Sequence, residues 1–148
     1  MGTYFNPDNK SFTSDKISKI YVDKTGLLEY LNGVLGTTGR YLAVSHARRF
    51  GKSHAAGMID AYYSLGCDSS SLFDDTKIAS SPDYKKYRNR YNVIHLDISS
   101  VWDFHKEDLI ESITERVCKD FRKEYGDSLD YNNDLYLLIQ EIYSITNI

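Results

Sequence analysis

Residues 41–54 decide how the chain is interpreted, and they read YLAVSHARRFGKSH. The first four of them form a continuous apolar run, which is typical of a strand buried on both faces of a parallel sheet. A tight polar loop follows, and the sequence predicts a helix from about Ser53 to Leu65. A buried strand, a loop ending in Gly-Lys-Ser and a helix are the parts of a phosphate-binding loop.

Three residues match the phosphate-loop pattern G-x-x-x-x-G-K-[ST], and each has a physical reason for its position. Gly51 lets the backbone approach a phosphate where a Cβ would clash. Lys52 can reach phosphate oxygens, and the Ser53 hydroxyl can ligate Mg²⁺. The amides of residues 51–54 point out of a helix N-terminus, which favours an anion. We therefore predict that the loop binds the phosphates of a nucleotide.

The loop also departs from the pattern, because His46 stands where the first glycine belongs. Arg48 and Arg49 make it unusually basic, which indicates extra phosphate contacts, an interface to a partner or solvated loop charges. Phe50 is expected to pack under the loop rather than to stack on a base. An ordinary strand-to-helix turn with a basic surface is the alternative interpretation of the whole segment. The predicted nucleotide-binding set is His46, Arg48, Arg49, Gly51, Lys52, Ser53 and His54.

Outside the loop, strand-like and helix-like segments alternate. Residues 19–23 and 92–98 are predicted strands, and Thr25 is the predicted N-cap of the helix that follows the first one. A helix through residues 109–121 is closed by Gly126, and a last helix starts near Asn133–Asp134. This alternation predicts an α/β fold, with a mostly parallel sheet flanked by helices.

Composition limits the classes of function. Of 148 residues 41% are hydrophobic, as in globular proteins, and the formal net charge of −3 does not indicate nucleic acid. A basic, Tyr-rich stretch at residues 85–91 is expected to be a solvated face. No signal peptide or membrane span is recognisable. Cys67 and Cys118 form neither a disulfide framework nor a zinc site. We expect one cytoplasmic domain over residues 1–148, without membrane binding.

The motifs resemble those of the bacterial AAA-ATPase-like family. The resemblance lies in Y-V-D-K-T at residues 21–25, in residues 41–45 and in R-R-F-G-K-S at residues 48–53. Family members carry R-P-R-R-F-G-K-S as an atypical Walker A loop, and many end in a PD-(D/E)XK nuclease-like domain. Here His46-Ala47 replaces R-P, and His54 replaces an apolar residue.

The resemblance implies ATP and Mg²⁺ as cofactors and a partial P-loop NTPase fold. In the family, a Walker B strand of the type L-I-D-E-Y-D follows the helix that residues 135–145 resemble. We therefore expect a domain truncated before Walker B and not competent for hydrolysis alone. Asp97, at the end of a predicted strand, is a further candidate for the catalytic acid and for contact with the metal. Asp23 and Lys24 either flank the nucleotide or have a capping and turn role with Thr25.

A different class of function is also open. Such a chain can serve as a protein-binding module or inhibitor, for example a mobile-element protein acting on a host nuclease or defence complex. A sheet that lacks its next strand exposes an edge and apolar surface. We therefore expect self-association or a protein partner. A fragment of a longer protein is the third possibility.

Overall fold

A computed structural model describes residues 2–45, 47, 49–102, 108–127, 129–130 and 134–147. Contacts divide the chain into two compact units. The loop unit comprises residues 8–91, and the terminal unit comprises residues 1–7 and 92–148. The expectation of a single domain stays a prediction.

The predicted α/β fold with a parallel sheet is wrong, because the described residues are helical and form no sheet. Strand pairing among them is limited to two isolated bridges, Phe5 with Ile94 and Ser64 with Tyr91. The apolar run at residues 41–44 predicted burial on both faces, yet Tyr41 is 81% exposed. A strand needs a neighbouring backbone to pair with its amides and carbonyls. The described residues offer none to this segment, so the partial P-loop sheet fold is overturned.

Five helices and two short 3₁₀ turns make up the described part of the loop unit. The helices are α1 (Lys10–Lys16), α2 (Gly26–Val34), α3 (Lys52–Tyr63), α4 (Ser70–Phe73) and α5 (Tyr84–Tyr87). The turns are Thr38–Arg40 and Lys77–Ser80. The helix predicted after the loop therefore forms, starting one residue earlier than expected.

Helix α3 is the centre of the loop unit. It packs against α1, where a Cβ added to Gly57 would lie 2.8 Å from Ser11 Oγ. Its buried Tyr62 ring packs edge-on against Phe73, which stacks on Phe12 of α1 with ring centroids 4.8 Å apart. Burial of these rings is a main stabilising contribution to the packing of α3 in the loop unit.

Asn89 fixes the C-terminal end of α3. Its Nδ2 donates to the carbonyls of Ala61 (3.1 Å) and Ser64 (2.8 Å), and its backbone amide donates to the Tyr62 carbonyl at 2.7 Å. Its Oδ1 accepts from the amide of Ser69 at 3.1 Å. Carbonyls that α3 leaves unpaired at its end are thus satisfied by the side chain and backbone of one residue. In the basic, Tyr-rich stretch at residues 85–91, Tyr87 stacks on Tyr91, and Lys85, Lys86 and Arg90 are exposed.

The described terminal unit contains α6 (Ile98–Trp102), α7 (Leu109–Tyr125) and α8 (Leu135–Thr146). The two predicted C-terminal helices are confirmed. Gly126 closes α7 with a φ of 83°, and the Asp134 carboxylate accepts from the first-turn amides of α8. Asp120 of α7 ties down the N-terminal segment by accepting from the amides of Thr3 and Tyr4. In the part of the chain that the structure describes, no helix has the length and apolar character needed to cross a membrane.

Candidate functional site

Five of the predicted nucleotide-binding residues line one open cleft of about 650 Å³ at the start of α3. We call this the basic cleft, and its lining consists of Arg49, Gly51, Lys52, Ser53 and His54. The volume lies within the usual range for ligand sites, roughly 300–1,000 Å³. The structure therefore brings these five side chains and backbones together. His46 and Arg48 lie outside the described residues, and their contribution stays a prediction.

The backbone of the loop turns sharply before α3. Gly51 is the N-cap, with a φ of 81°, and it receives no side-chain capping hydrogen bond. Its carbonyl accepts the first helical hydrogen bond, from the Ala55 amide at 3.0 Å. Arg49 has a φ of 68°, which is uncommon for a residue with a Cβ. The first-turn amides of α3 have no intrahelical acceptor and point toward the cleft side of the loop.

Lys52 is exposed on the first turn of α3, and its side chain reaches back to the backbone of the loop that precedes the helix. Its Nζ donates to the carbonyl of Ala47 at 3.2 Å. A phosphate oxygen arriving in the basic cleft would replace a neutral carbonyl with a charged acceptor, which makes the stronger hydrogen bond. The position of the ammonium therefore suits phosphate binding.

Lys24 brings a second ammonium to the loop from a distant part of the sequence. Its Nζ donates to the carbonyl of Phe50 at 3.0 Å. A Cβ added to Gly51 would lie 2.7 Å from the same Nζ. The glycine thus permits the close approach of Lys24 as well as the positive φ. The Y-V-D-K-T segment marked Lys24 as a candidate in the sequence, but the segment does not show that Lys24 contacts the backbone of the loop.

Asp23, by contrast, has a structural role. Its Oδ1 accepts from the amide and hydroxyl of Thr25 at 2.8 and 2.7 Å, and its Oδ2 accepts from the amide of Lys77 at 2.9 Å. Burial raises the pKa of Asp23, but these hydrogen bonds outweigh it and lower the pKa below its ordinary value. Thr25 in turn accepts from the Ile78 amide at 3.2 Å. The segment therefore buttresses the loop unit through a turn, as one of the two interpretations expected.

A second cleft, of about 400 Å³, adjoins the basic cleft and shares Arg49, Gly51 and His54 with it. We call it the apolar cleft, after five of its lining residues: Phe12, Tyr21, Phe50, Ala55 and Met58. Phe50 was expected to pack under the loop, but it is 58% exposed. No motif in the sequence indicates this cleft, because its walls come from α1, from residues 18–24 and from residues 49–58.

His54 links the apolar cleft to α1. Its Nδ1 lies 2.6 Å from Oδ1 of Asp15. An ionised carboxylate only accepts hydrogen bonds, so His54 Nδ1 is the donor in this pair. The imidazole is thus oriented by α1, although most of it is exposed to solvent.

Asp97 lies in the terminal unit, just before α6. Its Oδ1 accepts from the amide and the hydroxyl of Ser99 at 3.1 and 2.6 Å. Its candidate roles as catalytic acid and metal ligand stay predictions. Among the described residues, no group of three or more His, Cys, Asp or Glu side chains is placed to hold a metal ion.

Comparison with protein families matches residues 11–148 to the family described as "Predicted AAA-ATPase". Comparison with curated proteins and with solved structures finds no match. The match covers both the Y-V-D-K-T segment and the loop that forms the basic cleft. This chain therefore belongs to the predicted AAA-ATPase (AAA-ATPase-like) family.

Proposed function

We propose that the chain binds ATP through its phosphates, which lie in the basic cleft. The observation that carries this proposal is the cleft lining: two cations, a serine hydroxyl and a glycine backbone meet at the N-terminus of a twelve-residue helix. A helix N-terminus favours anions through its amides and dipole. Membership of the family supports ATP as the nucleotide.

Electrostatics favour a polyanion at this position. Arg49 and Lys52 line the basic cleft, and Lys24 holds the backbone of the same loop. Each hydrogen bond from a charged donor contributes roughly 1.5–3 kcal/mol when its partner is not fully solvated. Two such contacts together with the helix amides favour a triphosphate over a neutral ligand in the basic cleft.

The loop residues can hold Mg²⁺ only together with the phosphates of the nucleotide. Mg²⁺ prefers oxygen ligands and keeps several waters, so phosphate oxygens and one protein hydroxyl suffice. Ser53 lines the basic cleft and would hold the ion through its hydroxyl. When bound, the ion would neutralise phosphate charge.

We propose binding without hydrolysis by this chain alone. Hydrolysis needs a side chain that positions or deprotonates the attacking water. Among the described residues that line the basic cleft, none carries a carboxylate. Asp15, in the neighbouring apolar cleft, is engaged with His54.

Competition for labelled ATP tests where the affinity comes from. We expect inorganic tripolyphosphate to displace ATP, whereas adenosine at the same concentration displaces much less. Displacement by adenosine as effective as that by tripolyphosphate would contradict phosphate-directed binding.

One observation favours a second function, that of a protein-binding module. Helix α8 buries Leu138 and Ile142, yet Tyr136, Ile139 and Tyr143 on another face are exposed. A helix that is apolar on two faces is typical of one covered by a partner. A pull-down with and without ATP and Mg²⁺ tests this function; a partner retained by a Lys52→Ala variant supports it.

We also propose a cytoplasmic location. Cys67 and Cys118 are both free thiols, as expected in a reducing compartment. Fractionation of the native host tests this.

A further inference from the structure

Two polar atoms in the wall of the apolar cleft are buried without a partner. They are Oδ2 of Asp15 and the hydroxyl of Tyr21, and both residues line the cleft. A buried polar atom without a hydrogen bond costs free energy that a ligand can recover. Both side chains are only partly buried, so a small adjustment brings either atom to the cleft surface.

The two atoms have opposite hydrogen-bonding character. Oδ1 of Asp15 already accepts from His54, which leaves Oδ2 as an acceptor. Burial, followed by the nearby charges of Asp23, Asp75 and Asp15, raises the pKa of Tyr21 to about 12. Its hydroxyl therefore keeps its proton at neutral pH and can donate. Asp15 and Tyr21 thus give the wall of the apolar cleft a buried acceptor and a buried donor whose hydrogen bonds are not made.

We propose that the apolar cleft holds the base of the bound nucleotide and selects adenine through Asp15 and Tyr21. This inference rests on the proposed function, because the base is carried by the phosphates in the adjoining basic cleft. Asp15 Oδ2 accepts from the N6 amino group, and the Tyr21 hydroxyl donates to N1. Adenine presents this one donor beside one acceptor on its Watson–Crick edge.

Packing supports a flat aromatic ligand. Phe12 and Met58 are buried, Phe50 exposes its ring, and the cleft volume of about 400 Å³ accommodates a nucleoside. Stacking of a base on an aromatic ring is favourable for any base, so it supplies affinity but no selection. Selection therefore falls to the polar pair. Guanine carries O6 and N1–H in place of the N6 amino group and N1, so an acceptor would face Asp15 Oδ2 and a donor would face the Tyr21 hydroxyl.

A comparison of ATP binding with ITP binding separates recognition of the base from recognition of the phosphates. Hypoxanthine has the size of adenine and the same phosphates, but its donor and acceptor are exchanged at positions 1 and 6. Its O6 would meet the carboxylate of Asp15. We expect ATP to bind about tenfold more tightly than ITP, by calorimetry in the presence of Mg²⁺.

Asp15→Asn gives the sharpest result. Oδ1 of the amide continues to accept from His54, while the amide nitrogen places a donor where Oδ2 was. The ATP-to-ITP preference is expected to fall to unity or reverse. Asp83→Asn removes the same charge elsewhere in the loop unit and should leave the preference unchanged. An Asp15→Asn variant that keeps the full preference for ATP would overturn the inference.

Tyr21→Phe tests whether the Tyr21 hydroxyl donates a hydrogen bond to the base, without a loss of protein stability. The hydroxyl has no partner, so its removal should leave the stability unchanged or slightly higher while ATP affinity falls several-fold. Equal binding of ATP and ITP to the unmodified protein, both lost in Lys52→Ala, overturns the adenine inference but leaves the phosphate function standing. Failure of both nucleotides to bind overturns both.

Discussion

At the scale of single residues, Gly51 combines two constraints in one position. Its φ of 81° disfavours any residue with a Cβ, and Lys24 Nζ approaches to within 2.7 Å of where that Cβ would lie. Gly36 has a similar φ of 76° but nothing within 4 Å of its Cβ position. The two glycines therefore share the conformational requirement, and only Gly51 has the functional neighbours.

Gly51→Ala and Gly36→Ala should consequently behave alike in stability and differently in binding. Each is expected to lose about 1–2 kcal/mol in the free energy of unfolding, measured with urea, because of the left-handed backbone. Only Gly51→Ala should also weaken ATP binding. Equal ATP affinity in the two variants would argue against a phosphate site at Gly51.

Asp23 gives a pH-dependent prediction. Because hydrogen bonds lower its pKa in the folded state, the ionised carboxylate stabilises the fold above the ordinary Asp pKa of about 3.9. That stabilisation declines as the pH falls below this value. Asp23→Asn should cost about 1–3 kcal/mol at pH 7, and the gap to the unmodified protein should narrow as the pH falls toward 3 and below, where the carboxyl of the folded state takes up its proton. A gap that stays constant between pH 7 and pH 3 would contradict this role.

The residues of the basic cleft could be predicted because they are nearly contiguous. A turn before a helix brings residues 49–54 together whatever the rest of the fold does. Lys24, Asp15 and Tyr21 could not be placed in the same way, since they reach the loop from segments about 30 residues away. Spacing in the sequence carries no information about such contacts until the packing of α1 on α3 is known.

At the scale of elements, α3 depends on Asn89 as much as on its loop. Asn89→Gly removes the side-chain hydrogen bonds but keeps the positive φ of 52° accessible. Asn89→Ala removes the same bonds and adds a Cβ penalty of about 1–2 kcal/mol. The unfolding free energies should therefore rank unmodified protein above Asn89→Gly above Asn89→Ala. An Asn89→Ala variant as stable as Asn89→Gly would show that the backbone conformation at this position does not matter.

The sequence predicted the helices more successfully than it predicted the strands. Leu109 to Phe121 has helical periodicity, and Gly126 and Asp134 carry local stop and start signals, so α7 and α8 follow from nearby residues. The apolar run of residues 41–44 has strand composition, but a strand also needs a partner in space. Composition alone therefore predicted a sheet that the described residues do not form.

At the scale of the whole molecule, exposed apolar surface predicts association. Ile139→Glu places a charge in the middle of the exposed face of α8, whereas Ser14→Glu places the same charge at an exposed polar position of α1. We expect concentration-dependent self-association by light scattering, reduced by Ile139→Glu and unaffected by Ser14→Glu. A monodisperse monomer at high concentration, which binds no partner from a lysate, would contradict this expectation.

The central claim is that Lys52 and the loop amides form one phosphate site, and equilibrium dialysis with labelled ATP and Mg²⁺ tests it most directly. Lys85→Ala removes the same charge from an exposed position outside both clefts and serves as the matched control. Lys52→Ala is expected to weaken ATP binding by roughly 10- to 100-fold, while Lys85→Ala binds like the unmodified protein. Unchanged ATP retention by the folded Lys52→Ala variant would contradict the account.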